Sequence, residues 1–447
     1  MGWTYTVEEL AHAVGSHAAG NATPFSRVST DTRTIQPGDV FFALKGEKFD
    51  ANAFVRDAFS KGACAVVATQ PNAAGVCLVV PDTQAALQSF AGFHRARYSP
   101  IVFAITGSCG KTTSKDMIAA VLATRLRIVK TQGNLNNEIG CPLSLLQIDG
   151  NTQAAIIEMG AAKRGNIAEL CAFTKPGESA ITLIAPAHLE GFGSIENIAD
   201  TKGEIAEALP PEGIFYVNTG NEWCARVAER VACRKILYGH RGDVVLKSYH
   251  MEDDGEAVLD IEPVGKLRLP LPSREHASNV LLAIAVGLQH GITEFEGPLR
   301  AVCADPARFK KLRIGALDVI DDTYNASPAS MAAALRGLAE RPRGGARIAA
   351  LGDMLELGPT SDQLHAQIGT LTGTLGLAHV FALGERASAM ISAARDAGVP
   401  HAEVLPDHAA VARAILDVAR PDDVLLVKGS RGMRMERVIE QLKFLSG

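Results

Sequence analysis

The chain has 447 residues, 47% of them apolar and 21% charged, with a net charge of −5. This length exceeds one ordinary core and calls for two to four domains; the acidic balance gives no support for a nucleic-acid partner. No apolar run approaches the ~20 residues of a membrane helix, and the start MGWTYTVEELAHAV lacks the basic-then-apolar plan of a signal peptide, so a cytoplasmic protein without membrane insertion is expected.

In chain order, the first segment (1–82) offers the short strands DVFFAL (39–44) and ACAVVA (63–68), with the helix-like AFVRDAFSKG between them. DTQAALQSFAGFHRARYSP (82–100) reads as a capped helix running into a Ser-Pro linker. The second segment (83–312) opens its sheet with IVFAI, and RIVKT, AAIIEMG, SAITLI and GIFYVN follow as further strands with helical stretches between several of them. NVLLAIAVGLQHG (279–291) predicts a helix closed by Gly291. The third segment (313–447) repeats the rhythm in LDVIDDTYN, ARIAALGD, HVFALGE and DDVLLVKGS, with SMAAALRGLAE as a helix. Strands alternating with helices predict mostly parallel, doubly wound α/β sheets, whose ligands gather at the carboxyl ends of strands. Eight cysteines, at 64, 77, 109, 141, 171, 224, 233 and 303, form no C-x-x-C pair and read as reduced thiols.

The most informative stretch is ITGSCGKTT (105–113). In Gly107-Ser108-Cys109-Gly110-Lys111-Thr112-Thr113, glycines allow a tight turn whose N–H groups converge on an anion, and the following helix adds its positive end. Lys111 can neutralise β/γ-phosphate oxygens and the Thr112 hydroxyl can ligate Mg²⁺. Ile105 holds the place of the first glycine of the full phosphate-loop pattern. Further on, Glu158 closes AAIIEMG, His188 and Glu190 follow another strand, and Lys202 lies in IADTKGEIAEAL. Singly these read as a surface acid, a core histidine and a solvated lysine. Together, after a phosphate turn, they suggest an oxygen-rich metal and phosphate site. The basic run RFKKLR (308–313) reads as solvated surface or a local grip on phosphate.

TGSCGKTT, GNLNNEIGCP (133–142), EMG (158–160), AHLEGFGS (187–194), the Lys202 region, DDTYNASPASM (321–331), GDMLELG (352–358) and KGSRGMRME (428–436) together resemble the ATP-dependent Mur ligases of peptidoglycan synthesis. The likeness is greatest to the type that adds D-alanyl-D-alanine to UDP-N-acetylmuramoyl-tripeptide. STDTRTIQPGDVFFALKGEKFDANAF (29–54) resembles the UDP-binding domain of that family. The resemblance implies a monomer of three domains: a small α/β UDP-binding one, a central ATPase-like one and a C-terminal Rossmann-like one. It implies ATP with two Mg²⁺, Lys111 on the β/γ-phosphates, Thr112 on one ion, and Glu158 and His188 on the other. It further implies carbamylation of Lys202, adenine at Asn279, ribose at Asp322, Asn325 close to the nucleotide, and Arg308 near the γ-phosphate. Asn134, Asn136 and Asn137 would line the UDP-peptide path, and Asp31 and Arg33 the UDP sugar. The asparagines read equally as turn residues, and Asp31–Arg33 equally as a structural pair. Lys428 and Arg431 are candidate grips on the dipeptide carboxylate.

Three positions depart from the family pattern: Cys109 where Asn is common, His276 at an expected Asn, and Ala307 where Gly usually precedes the arginine. The nearest alternative is another ligase of the same superfamily, adding the third residue or a folate polyglutamate, and DDTYNASP and GDMLELG weigh against both. Two readings of other classes remain. A phosphoryl-transfer enzyme or NTPase switch would use Lys111 and Thr112 but leave Glu158, His188, Lys202 and the C-terminal motifs without a task. A nucleotide-binding scaffold without turnover is the other.

Overall fold

The computed structural model describes residues 2–18, 20–46, 49–187, 189–304, 310–341 and 344–446. Near the N-terminus β1 (Tyr5–Thr6) pairs antiparallel with β2 (Pro24–Phe25). A parallel sheet follows, built from β3 (Val28–Ser29), β4 (Val40–Phe42), β5 (Ala65–Ala68) and β6 (Cys77–Val79), in that order.

The helix Thr83–Arg97 starts where Asp82 accepts from the N–H groups of Gln84 and Ala85, and ends at extended Tyr98. Its buried residues Ala86, Leu87, Phe90, Ala91 and His94 recur at helical spacing. They lie in one core holding Trp3, Tyr5, Phe25 and Phe42 from the N-terminal unit and Val102, Leu145 and Ile157 from the next. Polar bonds reinforce the junction: Trp3 Nε1 donates to Leu146 O at 2.8 Å, and His94 lies between Tyr5 OH and Ile148 O at 3.0 and 2.8 Å. A carbonyl only accepts, so His94 Nε2 carries the proton and Nδ1 accepts from the tyrosine. Burial lowers the His94 pKa to about 4, so the imidazole is neutral.

The central sheet joins β7 (Ile101–Thr106), β8 (Ile128–Lys130), β9 (Ala154–Glu158), β10 (Glu178–Ile181), β11 (Ile214–Asn218), β12 (Arg234–Gly239), β13 (Val244–Met251), β14 (Ala257–Glu262) and β15 (Gly265–Leu269). Its order is β15-β14-β13-β12-β11-β10-β7-β9-β8. The strands from β8 to β13 run parallel, as expected. The antiparallel extension β13–β15 was not expected; short turns with left-handed Gly255 and Gly265 replace the crossover helices there. Register sets Ile105 opposite Glu158 and Thr106 opposite Ile181, so three strand ends open at one place. The helix Ala277–Gln289 covers this sheet and closes as its sequence predicts, with Gly291 left-handed and Ile292 N donating to Gly287 O.

The third sheet has the order β16-β17-β21-β18-β19-β20. It comprises β16 (Lys310–Ile314), β17 (Leu317–Asp322), β18 (Arg347–Gly352), β19 (His379–Leu383), β20 (His401–Val404) and β21 (Val424–Lys428). Only β16, which straddles the expected 312/313 limit, runs antiparallel. Apolar clusters fill both faces, as a doubly wound layer requires. Among the described residues, no helix is long and apolar enough to cross a membrane.

Candidate active site

The phosphate turn leaves β7, all apolar from Val102 to Ile105 and buried, and enters the helix Lys111–Leu122. Gly107 and Gly110 both take positive φ, at 151° and 81°. A side chain on Gly107 would overlap Thr182 Oγ1, and a Cβ on Gly110 would stand 2.7 Å from Asn279 Oδ1. The turn is clamped from one side. Ser108 N donates to Leu183 O at 2.7 Å, Ser108 Oγ to Ala185 O at 2.8 Å, and Thr182 Oγ1 to Cys109 O at 2.5 Å. No side chain caps the helix, so its first-turn N–H groups have no capping acceptor, and its positive end favours an anion. Lys111 Nζ folds back onto Gly107 O at 2.6 Å, over the place a phosphate would take.

Glu158 ends β9 beside this turn and is 1% exposed. Asn136 Nδ2 donates to its Oε1 at 2.8 Å, and Glu158 N donates to Thr131 Oγ1 at 3.0 Å. Its Oε2 is buried without a hydrogen bond, with the Lys115 ammonium 3.8 Å away. A buried carboxylate oxygen left in this condition fits a hard cation that completes it. Lys115, itself 1% exposed and donating to Thr131 O, is a site residue that the sequence reading missed. A lysine following Lys-Thr-Thr-Ser carries no local sign that it points inward.

The helix Ile195–Glu207, capped by Ser194, presents Lys202, which is 4% exposed. Burial, then the Lys111 charge, lower its pKa to about 7, so a large share of the amine is uncharged near neutrality. Its Nζ lies 5.9 Å from the centre of the Phe192 ring. The expected ligands His188 and Arg308, and the departure Ala307, lie outside the described residues.

Across from the turn stand the carboxyl ends of the third sheet. Lys428 donates to Asp322 Oδ2 at 2.6 Å and to Asn325 O at 2.9 Å, while Asn325 Oδ1 accepts from Ala326 N. The Lys428 and Lys111 charges and the Asp322 carboxylate all act on the Cys109 thiol, whose pKa burial raises. Burial thus favours the protonated thiol at Cys109. The third sheet reaches the central unit through the helix Pro328–Ala339. Arg336 pairs with Glu275 at 3.0 Å, and Glu340, just beyond that helix, accepts from Arg274 N at 3.0 Å. A second contact, Glu190 N to Glu356 O at 3.2 Å, closes the far side. His276 hydrogen-bonds Ser273 Oγ, and burial lowers its pKa to about 4. Asn279 faces the first turns of the helix that follows, accepting from Ser114 Oγ at 3.0 Å.

The remaining candidates lie in looser settings. Asn137 Oδ1 accepts from Gly140 N at the start of a helix, and Asn134 is exposed. Arg431, 68% exposed, approaches Glu436 at 3.4 Å. Asp31 and Arg33 pair at 2.5 Å after β3, and the Arg33 hydrogen bonds hold the exposed Asp31 carboxyl down to about 2.

Three family descriptions match the chain in succession: the Mur ligase family catalytic domain over residues 24–101, the Mur ligase middle domain over 105–287, and the Mur ligase glutamate ligase domain over 307–431. The UDP-N-acetylmuramoyl-tripeptide–D-alanyl-D-alanine ligase of Escherichia coli is 35% identical, covering 98% of this chain and 98% of the relative. Among solved structures, MurF from Acinetobacter baumannii superposes with a TM-score of 0.91 at 30% identity, over 99% of each chain. MurF ligase from Thermotoga maritima in complex with ADP does so at 0.84 and 27% identity, over 94% of this chain and 97% of that one.

Proposed function

The chain belongs to the Mur ligase family, and we propose that it joins D-alanyl-D-alanine to UDP-N-acetylmuramoyl-tripeptide, converting ATP to ADP and phosphate. The observation on this chain that carries the reading is the uncapped helix at Lys111, which follows a strand paired with the one ending at Glu158, whose Oε2 is buried without a hydrogen bond, and whose Lys111 charge acts on buried Lys202. A phosphate site, a cation site and a free amine there serve more than phosphoryl transfer alone.

A carboxylate does not condense with an amine in water, because its carbon is a poor electrophile and hydroxide a poor leaving group. The terminal carboxylate of the tripeptide attacks the γ-phosphorus of ATP, giving an acyl phosphate and ADP. The dipeptide amine then adds to that carbonyl, and the tetrahedral intermediate expels phosphate as the amide forms. Lys111 leaves Gly107 O for the β/γ-oxygens, and the turn N–H groups hold the phosphates against developing charge. Two bound Mg²⁺ would supply further neutralisation of the transferred phosphoryl group; Thr112 would hold one, Glu158 and His188 the other, and a carbamate on Lys202 would support them. The carbamate forms when the neutral Nζ adds to CO₂ and loses a proton, turning a cation into an oxygen ligand. Arg308 would join Lys111 at the γ-phosphate. Residues 1–82, with Asp31 and Arg33, would take the UDP moiety. Residues 83–312 would carry the nucleotide and Asn134, Asn136 and Asn137 toward the peptide, and 313–447 the dipeptide, with Arg431 exposed for its carboxylate. The two contacts of the third sheet with the central unit would keep water from the acyl phosphate.

The test is the mass of the product formed from UDP-N-acetylmuramoyl-tripeptide, D-alanyl-D-alanine, ATP and Mg²⁺. One added dipeptide, less one water, is expected. ADP without such a product would overturn the reading.

A further inference from the structure

Lys115 lies one turn beyond Lys111 on the helix Lys111–Leu122. Its ammonium donates to Thr131 O at 2.8 Å. Thr131 directly follows β8, and its Oγ1 accepts from Glu158 N at 3.0 Å. One residue therefore ties the lysine to the backbone of the carboxylate it faces. The ammonium stands 3.8 Å from Glu158 Oε2 and 3.7 Å from Asp116 Oδ1. Asp116 in turn pairs at 2.7 Å with Lys130, the last residue of β8. Two ammonium groups thus stand with two carboxylates, and Glu158 is not left as an uncompensated buried charge.

A lysine kept only to neutralise a buried acid would be expected to close on a carboxylate oxygen. Lys115 makes its 2.8 Å contact with the neutral Thr131 carbonyl instead, and holds off from Glu158 Oε2 at 3.8 Å. That separation is too long for a hydrogen bond, yet the attraction is strong where both side chains are shielded from water. The two oxygens of Glu158 are thereby treated differently. Oε1 accepts from Asn136 Nδ2 at 2.8 Å, whereas Oε2 is drawn toward a charge that occupies none of its lone pairs. An ammonium at hydrogen-bond distance would take up the acceptor that a metal ion needs. A neutral side chain in its place would exert no such pull on Oε2.

We propose that Lys115 is a positioning residue for a divalent cation, keeping Glu158 Oε2 aimed and open for the ion without touching the ion itself. The proposal rests on the ligase reading above, which calls for that ion.

The experiment follows the electron paramagnetic resonance signal of free Mn²⁺ as the nucleotide-free full chain is added, alongside calorimetric titration of ADP in EDTA. Lys115→Met is expected to weaken Mn²⁺ by about tenfold, the scale for loss of a group that orients a metal ligand, with ADP affinity in EDTA kept within about threefold. A lesion that merely distorts the helix would weaken both, because the same helix opens at the phosphate turn. Unchanged or tighter Mn²⁺ binding, or equal weakening of Mn²⁺ and ADP, would overturn the proposal, as would an unmodified chain that takes up no Mn²⁺. Should Lys115→Met fail to fold, Lys115→Gln retains a donor for Thr131 O without the charge. The same selective loss is expected there, and unchanged Mn²⁺ affinity would equally defeat the proposal. Mn²⁺ uptake needs no ligation, so this result stands apart from failure of the ligase reading, which appears as missing product from the unmodified chain.

Discussion

At the scale of single residues, the chemistry turns on two lysines that burial treats differently. Lys111 opens a helix and folds its Nζ onto Gly107 O, whereas Lys202 is driven toward neutrality, with a pKa near 7 against 10.5 unfolded. Carbamylation consumes the neutral amine, so it is favoured as pH rises through 7. We expect ¹³C-bicarbonate to give a carbamate resonance at pH 8 that fades toward pH 6 and is missing from Lys202→Ala. A chain equally active after exhaustive removal of CO₂ would rule the carbamate out. The same shift acts on folding. Between pH 7 and 10.5 the unfolded state binds more protons at this site, so its contribution to stability rises with pH across that window. Lys111 and Thr112 were legible because glycine spacing fixes a turn. The bond from Asn136 to Glu158 and the burial of Lys115 were not, because each depends on partners distant in sequence.

At the scale of elements, the turn is only as good as its glycines. Gly107→Ala would drive a methyl group into Thr182 Oγ1 at a φ of 151°. The expected result is loss of ADP binding by at least about a hundredfold, with about 1–3 kcal/mol of destabilisation from the forced shift. Wild-type affinity in this variant would show that the turn does not hold the phosphates. The junction helix Thr83–Arg97 gives a second expectation through His94. Its folded pKa near 4, against 6.5 unfolded, means that the unfolded state binds more protons between these values. Stability should therefore rise as pH climbs from 4 to 6.5 and be lost on acidification, by roughly 3 kcal/mol for a shift of this size. His276 contributes in the same direction. Thermal melts across this range should flatten in His94→Gln, and an unchanged slope would contradict the assignment. Continuous apolar runs such as IVFAI and VLLV were readable as strands because both sheet faces are covered. β13 was not, since its pattern VVLKSYHM is mostly half-exposed and carries charge.

At the scale of the whole molecule, the repeated strand–helix rhythm was enough to expect α/β layers in three segments. It could not show that one core runs unbroken from Trp3 into the central unit. Nor could it place the Arg336–Glu275 and Glu190–Glu356 contacts that bring the third sheet over the phosphate turn, because contacts between units leave no local pattern. The most direct measurement is ATP-dependent phosphate release with UDP-N-acetylmuramoyl-tripeptide and Mg²⁺, with and without D-alanyl-D-alanine. The account predicts sustained release only when the dipeptide is present, matched one for one by new amide. Release at the same rate without the dipeptide would contradict it.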